Sequence, residues 1–143
     1  MEHESILDFH TDADDITAAR ARSVTRESQI GLAIALVGSE NPSEIQEGIN
    51  ILEEAVKDTI HSEDSRVCVH YLALGHARLQ NYDKSVHLLN ALLRTEPANT
   101  QATELRRVVK GKMKKEGLVG LGLLGGAAAL VGGLVIAGFA LKK

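Results

Sequence analysis

YLALGHARLQNYDKSVHLLNALLRTEP, residues 71–97, reads as two helices joined by a tight turn. Val67, Tyr71, Leu74 and Ala77, with Leu79, carry apolar residues at spacings of three and four before the turn. Val86, Leu89, Leu92 and Leu93 do the same after it. That period is one face of an α-helix, not the alternation of a strand. Gln80-Asn81-Tyr82-Asp83 supplies the turn, and Glu96-Pro97-Ala98-Asn99 ends the second helix and opens another.

The same period extends in both directions. Ile30, Ala33, Ile34 and Val37 share a face, as do Ile45, Ile49, Leu52, Ala55 and Val56, and later Ala102, Leu105, Val108 and Val109. Asn41-Pro42-Ser43 breaks the chain, and Ser43 is placed to cap a helix with Glu44 and Glu47 in its first turn. Ser62-Glu63-Asp64 gives another start. The pattern predicts an all-α fold, with six helices near 13–23, 25–38, 43–58, 63–79, 83–95 and 99–115.

Two of these pairs repeat. GINILEEAV (48–56) matches SVHLLNALL (85–93), and GLAIALVG (31–38) parallels YLALGHAR (71–78) with Ala33 opposite Ala73. Each unit is two helices and a turn, and the spacing of small residues resembles the tetratricopeptide repeat. Leu72-Ala73, Tyr82, Ser85, Leu89 and Pro97 follow that family's order, while the first unit is degenerate, with a turn three residues longer around Asn41-Pro42. Small residues such as Ala73, Gly48 and Ser85 let paired helices approach closely. Two repeats leave apolar end faces, and 13–23 and 99–115 are placed to cap them.

Composition splits the 143-residue chain in two. Residues 1–109 hold 18 Asp+Glu against 10 Lys+Arg, a net of −8, whereas 110–143 hold 6 Lys against Glu116 alone. A body of that charge excludes a nucleic-acid binder, which needs a basic face. One cysteine, Cys68, excludes a disulfide scaffold. The acidic opening matches neither a secretory signal nor a mitochondrial presequence.

GLVGLGLLGGAAALVGGLVIAGFAL, 117–141, contains no charge. As a helix it is about 37 Å long, enough to cross a hydrocarbon core roughly 30 Å thick with some tilt. Lys110, Lys112, Lys114 and Lys115 precede it and only Lys142 and Lys143 follow, which favours a cytosolic N-terminal body. The expected organisation is therefore an acidic segment (1–12), a helical cytosolic domain (13–112), a basic juxtamembrane linker (113–116), a C-terminal transmembrane tail anchor (117–141) and a basic tail (142–143). Gly122 and Gly126, then Ala129, Gly133 and Ala137, place small residues at spacing four. Such spacing supports helix packing and a homo-oligomer, and it equally serves a segment of low hydrophobicity.

The arrangement as a whole resembles the mitochondrial fission 1 protein family, most specifically over 71–97 and at MKKEGLVG (113–120). The opening MEHESILDFHTDAD is more acidic than that family's and poor in anchoring apolar residues, which speaks against an arm-like contact with the repeats. The resemblance implies a tail-anchored adaptor on the mitochondrial outer membrane and on peroxisomes. It would recruit a dynamin-related GTPase or its adaptor proteins for organelle division, with links to mitophagy and cell death.

In tetratricopeptide units the first helix of each pair lines the concave face. That template makes Ile30, Ile34, Val37, Val67, His70, Leu74, Ala77 and Arg78 the candidate partner-binding groove, with Arg78 receiving a carboxylate or carbonyl. Ordinary core packing is an equal reading for each apolar member. Gly38 stands where the family often has a basic residue, so a doubly basic carboxylate clamp is not expected.

No chemistry-bearing pattern accompanies this. The six histidines are scattered, no H-E-x-x-H or phosphate loop occurs, and Cys68 reads as a small core residue. Neither an enzyme, a metal nor a cofactor is expected. Two other readings compete with the fission adaptor. One is a peptide receptor for acidic tails. The other is a lipid-remodelling protein, with Lys110–Lys115 on anionic headgroups.

Overall fold

The structure, a computed structural model, describes residues 7, 9–21, 25–59 and 64–116. Six helices follow in chain order: α1 (Ala13–Ala21), α2 (Arg26–Val37), α3 (Pro42–Thr59), α4 (Asp64–Arg78), α5 (Tyr82–Thr95) and α6 (Thr100–Glu116). No strand occurs among the described residues. The predicted helices therefore stand, with ends shifted by one or two residues where both are described. The uncharged run 117–141, including Gly122, Gly126, Ala129, Gly133 and Ala137, and the tail Lys142-Lys143 lie outside the described residues. No helix among the described residues is long and apolar enough to cross a membrane.

The helix ends follow from local chemistry. Thr25 Oγ1 accepts the Ser28 amide at 3.1 Å while Ser28 Oγ accepts the Thr25 amide at 2.9 Å, closing both orphan donors at the start of α2. At α3 the cap is Asn41, not Ser43: Asn41 Oδ1 accepts the Ser43 amide at 2.9 Å. Pro42 takes the first helical position, where its missing N–H costs nothing. Asn99 Oδ1 accepts the Ala102 amide at 3.0 Å and opens α6. After α4 the Gln80 amide reaches Ala77 O at 3.0 Å, and the Asn81 amide reaches His76 O at 2.7 Å. This is the paired closure of a helix whose next residue turns left-handed, and Gln80 has φ 65°.

Consecutive helices pack against one another from α2 to α6, and α2 also meets α4, as α4 meets α6. Those second-neighbour contacts put α2, α4 and α6 on the inner side of the array and α3 and α5 on the outer side. One large core unites Val37, Ile49, Leu52, Leu72, Leu89, Leu92, Leu105 and Val109. A smaller cluster of Ile16, Ala19, Leu32 and Leu36 attaches α1. Arg20 adds a forked pair to Glu47 at 2.6 and 2.7 Å, linking α1 to α3. That bond holds the Glu47 carboxyl below its ordinary value.

The two repeats superpose at their tightest points. Ser85 Oγ donates to Ala73 O at 2.8 Å between α5 and α4. At the matching place between α3 and α2, a Cβ on Gly48 would lie 2.8 Å from Ala33 O. The alignment of Ala33 with Ala73 and Gly48 with Ser85 is thus physical. The three extra residues of the first unit are not a longer turn, however. The turns span 38–41 and 79–81, and the surplus is mostly helix, an added stretch at the start of α3. Pro42 at the first helical position and Asn41 as its cap make that extension favourable.

Candidate partner-binding groove

The inner side of the array holds Arg78 at the end of α4 and the last residues of α2. Arg78 Nη1 donates to Val37 O at 2.6 Å and Ser39 O at 2.8 Å. These are carbonyls that the end of α2 leaves without helical partners. A guanidinium is suited to this because it presents several donors in one plane. Its Nε donates to Leu7 O at 3.2 Å. In this structure Arg78 is occupied by three carbonyls of its own chain.

Leu7, Phe9 and Thr11 lie along this furrow. The Thr11 amide donates to Gly38 O at 2.6 Å. The Phe9 ring sits 6.1 Å from that of Tyr71, tilted by 50°. Leu7 and Phe9 pack on the main core, alongside Ile34, Tyr71 and Leu79. The opening segment does make an arm-like contact, contrary to its acidic composition. Composition misled because the contact needs only two apolar side chains, Leu7 and Phe9. Gly38 acquires a reason here. A Cβ on it would meet Thr11 Oγ1, and would lie 2.8 Å from the Phe9 ring. The absence of a basic side chain at 38 makes room for the arm.

The eight candidate residues do not share one environment. Val37, Ala77, Leu74 and Ile30 are buried with the arm in place, and Val37 is fully inaccessible. They shape the furrow from below. Ile34, His70 and Arg78 are half-buried, and Val67, at 37%, is the exposed large apolar side chain among the described residues. Tyr71, which the sequence reading left out, is the ring that the arm meets.

Beyond the arm, toward the start of α4, a cleft of about 470 Å³ opens between α4 and α6. His70, Thr100, Gln101 and Glu104 line it, and Val67 lies one helical turn before His70. Burial lowers the His70 pKa, so its imidazole is neutral at physiological pH. Glu104 is paired with Arg107 on its own helix. The inner face thus has an arm-covered half around Arg78 and an open half around Val67 and His70. No three His, Cys, Asp or Glu side chains come together for a metal ion among the described residues.

Comparison with known proteins matches two parts of this chain. The Fis1 N-terminal tetratricopeptide repeat family matches residues 27–59, and the Fis1 C-terminal tetratricopeptide repeat family matches residues 66–118. FIS1-related protein fis-1 of Caenorhabditis elegans is 76% identical over 143 residues, covering 100% of both chains. Mitochondrial fission 1 protein of Homo sapiens is 42% identical over 124 residues, covering 86% of this chain and 81% of its own length. Among solved structures, Fis1 from Saccharomyces cerevisiae superposes with a TM-score of 0.69 at 22% identity, over 78% of this chain and 91% of that one. Yeast Fis1 in complex with an Mdv1 fragment superposes with a TM-score of 0.70, also at 22% identity and the same coverage.

Proposed function

The chain belongs to the mitochondrial fission 1 family, and on that footing we propose that it is a membrane-anchored adaptor for organelle division, with its inner helical face as the docking site. The observation that carries this reading is the furrow's hold on the main chain of the arm. Arg78 takes the Leu7 carbonyl and Gly38 O takes the Thr11 amide, with Phe9 set against Tyr71. A surface that grips backbone at both polarities and seats an aromatic side chain is built to receive a peptide. The yeast relative's complex with an Mdv1 fragment supports a fission adaptor as the class of partner, and a dynamin-related GTPase follows as the machinery recruited. The reading assigns the chain binding, not catalysis.

The docking residues proposed are Val67, His70 and Ile34, with Leu74 and Arg78 engaged once the arm gives way. Ile30, Val37 and Ala77 support them from the core. The anchor is 117–141, supported by its 25 uncharged residues and by Lys112, Lys114 and Lys115 before it. Its moderate, Gly- and Ala-rich hydrophobicity and the short Lys142-Lys143 tail support mitochondria and peroxisomes as destinations.

The test is to express the chain with an N-terminal fluorescent tag, with and without 117–141, and to score location and organelle shape. The proposal expects the intact chain on mitochondria and peroxisomes with fragmented networks, and the truncated chain diffuse. A diffuse intact chain overturns the anchor. Correct targeting with unaltered networks, both on overexpression and on deletion, overturns the fission role.

A further inference from the structure

Tyr82 opens α5, with its ring packed in the main core and only 4% of the residue exposed. Its hydroxyl donates to Glu116 Oε2 at 2.9 Å, across to the last residue of α6. A buried phenol needs a polar partner, and a carboxylate is a strong one. Glu116 is the single acid among the six lysines of 110–143. Its position makes sense as one half of a tie.

The tie falls at a mechanical junction. The apolar face of α6, Ala102, Leu105, Val109 and Met113, stays buried down to its last turn. The expected linker 113–116 is helical and part of α6, and Gly117 begins the uncharged run directly after Glu116. A change in the direction of α6 over 113–116 would swing the whole domain relative to the uncharged run that follows. Because α6 belongs to the inner layer with α2 and α4, the direction in which the groove faces follows the direction of α6.

We propose that the Tyr82–Glu116 hydrogen bond is an orientation latch, which fastens the final turn of α6 to α5 so that the fold, not a pivot, sets how the groove is presented over the bilayer. This rests on the membrane-anchor reading above.

The experiment uses the full chain reconstituted in phosphatidylcholine vesicles. Nitroxides at Glu54→Cys, an exposed position on α3, and at Lys143→Cys, beyond the uncharged run, report their separation by dipolar spectroscopy; the native Cys68 is buried. Flotation with the vesicles is scored first. The expected result is one narrow distance distribution for the unaltered pair and loss of the narrow peak in Tyr82→Phe and in Glu116→Ala. Glu116→Gln, whose amide oxygen still accepts the hydroxyl, retains the narrow peak. Circular dichroism checks the domain in each variant, and Glu116→Ala alters an exposed residue, so one variant keeps an intact core. A narrow peak in both Tyr82→Phe and Glu116→Ala overturns the latch, as does a Glu116→Gln distribution as broad as that of Glu116→Ala. A chain that fails to float overturns the anchor reading itself, a distinct outcome.

Discussion

His76 is buried in α4, and its Nδ1 finds no hydrogen-bond partner among the described residues. Burial, with Lys84 nearby as a lesser cause, pushes its pKa down to about 4 from 6.5. The folded state therefore refuses a proton that the unfolded chain accepts. Stability is complete above pH 6.5 and is lost as pH falls from there to about 4, with a ceiling of about 3 kcal/mol. Urea unfolding at a series of pH values should show that slope, and His76→Leu should remove most of it. His70, lowered by burial, and Glu47, held down by Arg20, act in the same direction. Gln80 is a second residue under local strain, since its φ of 65° suits glycine. Gln80→Gly should gain about 0.5–1 kcal/mol in the same assay, the relief exceeding the added chain entropy.

At the scale of elements, close helix approach decides what can be changed. A Cβ on Gly48 would press on Ala33 O at 2.8 Å, and one on Gly75 on Ile49 Cγ1 at 2.9 Å. Backbone cannot yield as a side-chain tip does, so Gly48→Ala should part α2 from α3. It should cost about 1–2 kcal/mol in thermal or denaturant unfolding, despite alanine's better helix propensity. The arm obeys the same logic. Gly38→Ala leaves an ordinary φ of −85° but fills the space of Thr11 and Phe9. Hydrogen exchange should rise at the Thr11 amide while the core amides stay protected. Six helices and the pairing of Ala33–Gly48 with Ala73–Ser85 were legible because apolar period and small-residue spacing are properties of the chain itself. The choice between lining and core was not. Val37 and Val67 sit on similar helical faces, and only packing makes one inaccessible and the other exposed. The arm was illegible for a related reason: two apolar residues among acids carry too little periodic signal, and the Gly38 that admits them looks like a missing cation.

Across the whole molecule, an acidic helical cradle, a basic terminal helix and an uncharged run succeed one another within 143 residues. Each tolerates change on its own terms. The cradle depends on core packing from Ile30 to Met113. Its inner face is divided between an arm-covered half and an open cleft, so on the proposed reading substitutions at the open half should alter docking without unfolding the domain. Val67 is the residue where this separation is cleanest, because it is apolar, exposed and outside the core. The central claim is that this face brings the division machinery to the membrane. The most direct measurement is the amount of dynamin-related GTPase on mitochondria purified from cells in which Val67→Glu replaces the unaltered chain. Mitochondrial content of the variant and its circular dichroism are matched to the unaltered chain. The account predicts a marked loss of membrane-bound GTPase with fold and location intact. Undiminished GTPase on those mitochondria would contradict it.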